Sequence, residues 1–345
     1  MRFAPTSSIL AVTSWDGHIR FLPPHQSDPT TTPATVTCQS PVLACDWTLH
    51  STLLAATAAG SIICADPSRA STSISTSTLT STSSSMIVGQ HDGPCRALAD
   101  VPRHDVVASA GADGHFCLWD LRSSARVYST PLPGKAFAMT LVGDDHLALA
   151  SVQHSLGVVS VPDLVRGAPI TWRTSKAKSQ ARELRALNSA SFVLGAVDGK
   201  VSVESLLGAG DFTFKCHRDK GPSALTYAVH ALAVHPSLGT FCTGGGDGAV
   251  HTWDPTARKR ITSLVPYGES IASLDVSPDG QWLAVAASYG WERGEEVEMD
   301  EKREEEQEEE EGMGMEGVAT LGGLGKARHE VHLQPVDPSQ FKPKA

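Results

Sequence analysis

Seven tight turns recur along the chain, at Asp16-Gly17, Ala59-Gly60, Asp113-Gly114, near Gln153-His154, at Asp198-Gly199, Asp247-Gly248 and near Tyr289-Gly290. Each follows a run of small and β-branched residues, as in 9–15, 106–109, 192–195 and 282–288. Such runs suit strands buried on both faces. The Asp-Gly pairs suit two-residue hairpins, whose positive φ glycine accepts without a Cβ clash. The turns lie roughly 40 to 50 residues apart, and a four-stranded propeller blade needs about 40 to 45. Only the second interval is stretched, by a Ser/Thr tract. One unit repeated seven times predicts an all-β, seven-bladed β-propeller filling residues 1–345 as a single domain.

Composition narrows the function classes. Seven cysteines are scattered singly, with no CxxC pair and no histidine spacing typical of zinc, so no metal or disulfide framework is expected. They read as small buried hydrophobes of a reducing compartment. No stretch of about 18 uncharged apolar residues occurs, and a soluble intracellular protein with no membrane contact is expected. The net charge of −10 is concentrated locally: between Glu292 and Glu311 stand 13 acidic and 3 basic residues. Of the 28 basic and 38 acidic residues, 25 of each then remain for the rest of the chain. A body with balanced charge offers little of the phosphate attraction that drives nucleic-acid binding.

Two segments interrupt the repeat. Residues 69–86 are almost all Ser and Thr and are expected to form a loose loop between the second and third blades. Residues 291–327 hold the glutamate run and two glycine-rich strings, and read as a disordered insertion in the last blade, which resumes at residues 330–336. The chain opens at Met1-Arg-Phe-Ala-Pro5 with a segment already in the position of an innermost strand. Two alternatives follow: the ring closes with a last blade that lacks its outermost strand and leaves an open edge, or the start codon of this sequence is misplaced.

Trp119-Asp120 and Trp253-Asp254 close the third strands of two units, the mark of the WD repeat, so the fold is expected to be a WD40 propeller. In the third unit His91, Ser109, Asp113 and Trp119 occupy the positions of a structural hydrogen-bond relay, since buried donors and acceptors need partners.

Longer strings carry a more specific likeness. Ser14-Trp-Asp-Gly17, residues 196–204 (AVDGKVSVE), residues 212–218 (FTFKCHR), the segment from Thr243 to Pro255, Ser270-Ile-Ala-Ser-Leu274 and Ala287-Ser-Tyr289 together resemble the Bub3/Rae1 family. The resemblance covers nearly the whole chain outside the two low-complexity segments. It implies a non-catalytic adaptor whose upper face binds a glutamate-rich GLEBS motif. The partners it implies are Bub1/BubR1-like checkpoint kinases and a phosphorylated kinetochore scaffold, at kinetochores in the nucleus. The Rae1 branch implies instead a nucleoporin GLEBS motif, messenger-RNA export and the nuclear pore. Ubiquitin binding is a further family-level implication. The strings at residues 244–255 and 270–274 lean toward the Bub3 branch, whereas Asp211-Phe-Thr-Phe214 and Ser288-Tyr-Gly-Trp291 lean toward Rae1. The expected form is a monomer within a larger complex.

By the same resemblance Trp15, Lys200 and Arg218 stand at partner contacts. Arginine gives strong, directional contacts with carboxylates, and Lys200 stands where the family commonly has an arginine, sacrificing a bidentate fork. Trp15 equally suits blade packing, and Arg218 a plain surface arginine. Arg258, Lys259 and Arg260 follow the second Trp-Asp and suit a phosphate on a partner, or an ordinary solvated turn. His230 and His235 read as strand and turn residues. Gly312-x-Gly314-x-x-Gly317 matches a dinucleotide string but follows a glutamate run, which repels pyrophosphate. Gly195 to Lys200 is too short for a phosphate loop, and no Gly-x-Ser-x-Gly elbow occurs. No catalytic residue and no cofactor are expected.

Overall fold

A computed structural model describes residues 1–23, 33–70, 85–219, 225–264, 266–288, 319–320 and 329–343. They form seven four-stranded antiparallel sheets, one per repeat. In chain order these blades span residues 2–37, 42–90, 95–131, 136–174, 181–215, 229–263 and 271–335. The first strand of each blade packs beside that of the next, as contacts between Val42–Trp47, Cys95–Val101, Ala136–Val142, Ala181–Ala186, Val229–Val234 and Ile271–Val276 show in succession.

The pattern of small residues explains the packing. Second strands such as Val106–Gly111 and Leu53–Thr57 are buried along their whole length, because a neighbouring sheet covers each face. Large apolar side chains fill the spaces between blades. Phe116 lies with Leu147 and Leu164 between blades 3 and 4, and Phe192 with Leu156 and Leu184 between blades 4 and 5.

Six of the seven turns found in the sequence join second to third strands, with positive φ at Gly17, Gly60, Gly114, Gly199 and Gly248, and at Gln153 and His154 in blade 4. The seventh, near Tyr289-Gly290, lies outside the described residues. At five of the six, the residue after the outer strand donates its backbone N–H to the turn carbonyl, as Cys38 does to Gly17 at 2.7 Å, Ser175 to His154 at 3.0 Å and Cys216 to Gly199 at 2.8 Å; in blade 6 Tyr267, further along, donates to Gly248 at 2.9 Å. At Gly60 a Cβ would stand 2.4 Å from the His91 carbonyl oxygen, so side-chain absence is required as well as the φ. These bonds put the turns and the blade-to-blade loops at one end of the toroid, here called the upper face.

Two expectations about the margins change. The Ser/Thr segment lies within blade 2, between its third strand, Ser61–Ala65, and its outermost strand, Ser85–Gln90, which takes in Ser85 and Met86. Asp66 caps a 3-10 turn at Pro67–Arg69, and residues 71–84 lie outside the described residues. The sequence repeat is offset by one strand from the blade, which is why the tract read as a connection between blades. Blade 7 is not left three-stranded: Ala319–Thr320 pairs with Val331 and Glu330 as its outer strand, upstream in sequence of the third strand His329–Pro335. The rest of the insertion expected at 291–327 lies outside the described residues. Blades 7 and 1 meet through Phe3, Leu10 and Val12 against Ala284, and through the Phe3 N–H donating to Asp275 Oδ2 at 2.7 Å. The short helix Pro338–Phe341 then docks Phe341 into the core shared by blades 6 and 7, where Thr240 and Thr252 donate to the carbonyls of Phe341 and Gln340.

Candidate functional site: the upper face

Below this face, blade 3 is tied together by four side chains. His91 Nδ1 lies 2.9 Å from Asp113 Oδ2, its Nε2 lies 2.8 Å from Ser109 Oγ, and the Trp119 indole donates to the same oxygen at 2.7 Å. Burial pushes the Asp113 carboxyl up, but the hydrogen bonds from His91 and from the backbone of His115 and Asp92 outweigh it and hold it below the usual carboxylate range. Burying four polar groups is tolerable because each has a partner.

Blade 6 repeats this relay with residues that sequence reasoning did not single out. His217 Nδ1 meets Asp247 Oδ1 at 2.8 Å, its Nε2 meets Thr243 Oγ1 at 2.8 Å, and the Trp253 indole donates to Thr243 Oγ1 at 3.1 Å. The order His, hydroxyl, Asp, Trp before Trp-Asp was visible, but a longer loop separates His217 from Thr243 than separates His91 from Ser109. Glycine stands above both relays: a Cβ at Gly111 would meet Asp113 Oδ1 at 2.8 Å, and one at Gly245 would meet His217 Nδ1 at 2.3 Å.

His251 stacks on His217, with ring centroids 4.7 Å apart and planes 22° apart. Burial, with the neighbouring His217 and Arg260, lowers its pKa to about 4. Ligand atoms of His217, Asp247 and His251 lie within 4.8 Å of one another. Yet both nitrogens of His217 are engaged in the relay, and nearly parallel rings put an ion out of plane for at least one of them. The set is therefore a structural relay with a stacked neighbour rather than a metal centre.

The residues expected to contact a partner sit on the ends of these elements. Arg218 directly follows the relay His217, in the loop from blade 5 to blade 6, and is exposed. That loop is pinned by a bridge between Arg218 and Thr226 and by the Tyr227 N–H donating to the His217 carbonyl at 2.9 Å. Arg218 Nη2 donates to the Asp198 carbonyl at 3.0 Å, and Lys200 Nζ reaches Asp198 Oδ2 at 2.5 Å. The two cations thus meet at one turn, of blade 5. Exposed Val197 and Leu225 flank them. Trp15 stands 76% exposed in the turn of blade 1, beside an Asp16–Arg20 ion pair of 2.6 Å. It shares the upper face with Lys200 and Arg218, but blades 6 and 7 separate it from them.

Arg258, Lys259 and Arg260 are not part of this grouping. They are exposed at the turn between third and fourth strands of blade 6, which lies at the opposite end of the toroid. Arg258 lies over the Phe212 ring, 4.4 Å from its centroid. His230 sits on the first strand of blade 6, and Arg182 Nη2 donates to its Nδ1 at 2.9 Å. His235 closes a turn, accepting from the backbone N–H groups of Ser237 and Leu238 at 3.3 Å each.

Four-stranded blades, Trp-Asp strand ends and paired relays define a WD-repeat β-propeller. The family described as "WD domain, G-beta repeat" matches residues 81–120 and 212–254, the segments that carry the two relays. The fold is similar to that of a solved structure titled "Structure of U3-55K", with a TM-score of 0.71 and 15% identity over 97% of this chain and 94% of that one. Among characterised proteins, the chain is 33% identical over 217 residues to "Mitotic checkpoint protein bub-3" of Caenorhabditis elegans, covering 60% of this chain and 62% of that protein, less than two thirds of its length. It is 28% identical over 302 residues to "Poly(A)+ RNA export protein" of Schizosaccharomyces pombe, covering 85% of this chain and 82% of that one. The chain belongs to the Bub3/Rae1 family of WD-repeat proteins.

Proposed function

We propose that the protein is a non-catalytic adaptor whose upper face binds an extended, glutamate-rich segment of the GLEBS type, borne by a checkpoint kinase, and that it serves the spindle checkpoint at kinetochores. One observation carries this reading: Lys200 and Arg218, from different elements, converge on a single turn of an otherwise charge-balanced body. Charge-assisted contacts to such cations favour carboxylates, and flanking Val197 and Leu225 offer apolar contact beside them. Trp15 extends the same face with an exposed indole suited to stacking. In this reading Arg258, Lys259 and Arg260 serve a separate contact, with a phosphorylated partner segment, at the other end of the toroid.

A second reading has its own support. The fission-yeast RNA export protein is similar over 85% of this chain, against 60% for the worm checkpoint protein. In that reading the same face takes a nucleoporin segment at the nuclear pore. Affinity capture from dividing cells separates the two: recovery of a checkpoint kinase supports the first, recovery of a nucleoporin the second. The site itself is tested by calorimetry with a GLEBS peptide. Arg218→Glu puts repulsion where attraction was and is expected to weaken binding well over tenfold. Unchanged affinity in a folded variant removes Arg218 from the site.

A further inference from the structure

We propose that Asp198 is a displaceable internal counter-ion, and that the Lys176–Lys178 turn beside it completes a four-cation cluster that an acidic partner segment takes over from Asp198. This rests on the reading of the upper face given above, and it names how that face is tuned.

Asp198 differs from the other turn aspartates. Asp16, Asp113 and Asp247 each accept the backbone N–H two residues on, from His18 at 2.8 Å, His115 at 3.0 Å and Ala249 at 3.2 Å, so their carboxylates build the turn. The Asp198 carboxylate instead turns to the Lys200 amine through Oδ2, and its Oδ1 is buried with no hydrogen-bond partner among the described residues. A buried acceptor left unmatched is unfavourable. The turn does not need this carboxylate, and the carboxylate is poorly satisfied where it sits.

The cations do not need it either. Lys200 Nζ also reaches the Ala177 carbonyl at 3.4 Å, and Arg218 is held by the Asp198 main-chain carbonyl rather than by its side chain. Lys176 and Lys178 flank Ala177 and are both exposed. Their turn is anchored from below. Buried Glu204 accepts from the Lys176 N–H at 2.9 Å and the Ser175 hydroxyl at 2.7 Å, and Lys178 is fixed in a left-handed conformation at φ 51°. Lys176 and Lys178 therefore stand on the turn that Lys200 reaches, next to the Asp198 turn that holds Arg218; Asp219, which follows Arg218, is taken up by the Tyr227 hydroxyl at 3.1 Å. Half-exposed pairs such as Lys200–Asp198 are weak and exchange readily. An incoming run of carboxylates can replace Asp198 while keeping every orienting bond.

The test is calorimetry of the full chain with a decapeptide of alternating glycine and glutamate, and with a glycine-serine decapeptide as the uncharged probe. Asp198→Asn is expected to tighten binding of the acidic peptide up to about fivefold, the range an exposed pair spans. The joint change Lys176→Ser and Lys178→Ser is expected to weaken it by a similar factor, with the thermal midpoint unmoved. Asp198→Ser repeats the first measurement should the asparagine variant misfold. Equal or weaker binding by Asp198→Asn and Asp198→Ser, with the parent chain still binding, overturns the counter-ion and leaves the face intact. No binding of the acidic peptide by the parent chain overturns the reading of the face and this inference with it.

Discussion

Blades 3 and 6 share one skeleton and differ in what they carry. Both fasten a loop histidine to a hydroxyl, a turn aspartate and an indole. After the histidine, blade 3 has Asp92, whose N–H folds back onto Asp113 at 3.2 Å, whereas blade 6 has Arg218, which reaches across to blade 5. Beside the hydroxyl, blade 3 pairs Ser109 with Cys117, and blade 6 pairs Thr243 with His251. The relay is thus a mounting, and in the reading proposed above the residue placed on it decides whether a blade only holds the ring or also presents a ligand contact.

Breaking the mounting has the largest expected effect. His91→Ala and His217→Ala each remove one partner from a buried hydroxyl and from the turn carboxylate, which keep the indole and the backbone N–H groups, and each is expected to lose about 1–3 kcal/mol in urea unfolding. Only His217→Ala is expected to weaken acidic-peptide binding as well, by more than tenfold, because the loop that aims Arg218 loses its anchor. Equal binding losses in both variants would remove the distinction between the blades.

Making blade 6 resemble blade 3 at the next position comes second. Arg218→Asp is expected to abolish most peptide binding, while stability stays within about 0.5 kcal/mol, as for an exposed surface change. A third change concerns acid. Burial holds His251 neutral down to about pH 4, so below its ordinary value of 6.5 the unfolded chain binds a proton that the folded chain refuses. Its contribution is therefore complete above about 6.5 and is lost as pH falls toward 4. His251→Cys is expected to flatten that part of the stability profile relative to the parent chain; unfolding curves at pH 7, 5.5 and 4.5 would show it. The smallest effect lies at the other end. Phe212→Leu removes the ring under Arg258 and is expected to cost about 0.5–1 kcal/mol with no change in peptide affinity at the upper face.

The turns were the legible part of the fold, because Asp-Gly pairs report a backbone requirement that few other residues meet. Even Gln153-His154, without a glycine, could be placed by its interval. Where a blade begins was less legible: the repeat unit and the sheet are offset by one strand, so the Ser/Thr tract was assigned between blades rather than inside blade 2. The outer strand of blade 7 was missed because two residues, Ala319–Thr320, give no periodicity, and because they precede rather than follow the strand they pair with. At the site, Lys200 and Arg218 stood out as residue types in recognisable strings, but their convergence on Asp198 depends on two elements meeting. The second relay was hidden by the loop after Arg218, and the separation of Arg258–Arg260 from the upper face follows only from counting strand directions.

Backbone hydrogen exchange with and without a GLEBS peptide tests the central claim most directly. The account predicts slowed exchange at residues 14–17, 176–178, 198–200 and 216–219, with residues 256–260 unchanged. Protection confined to 256–260 and the turns of that opposite end would contradict it.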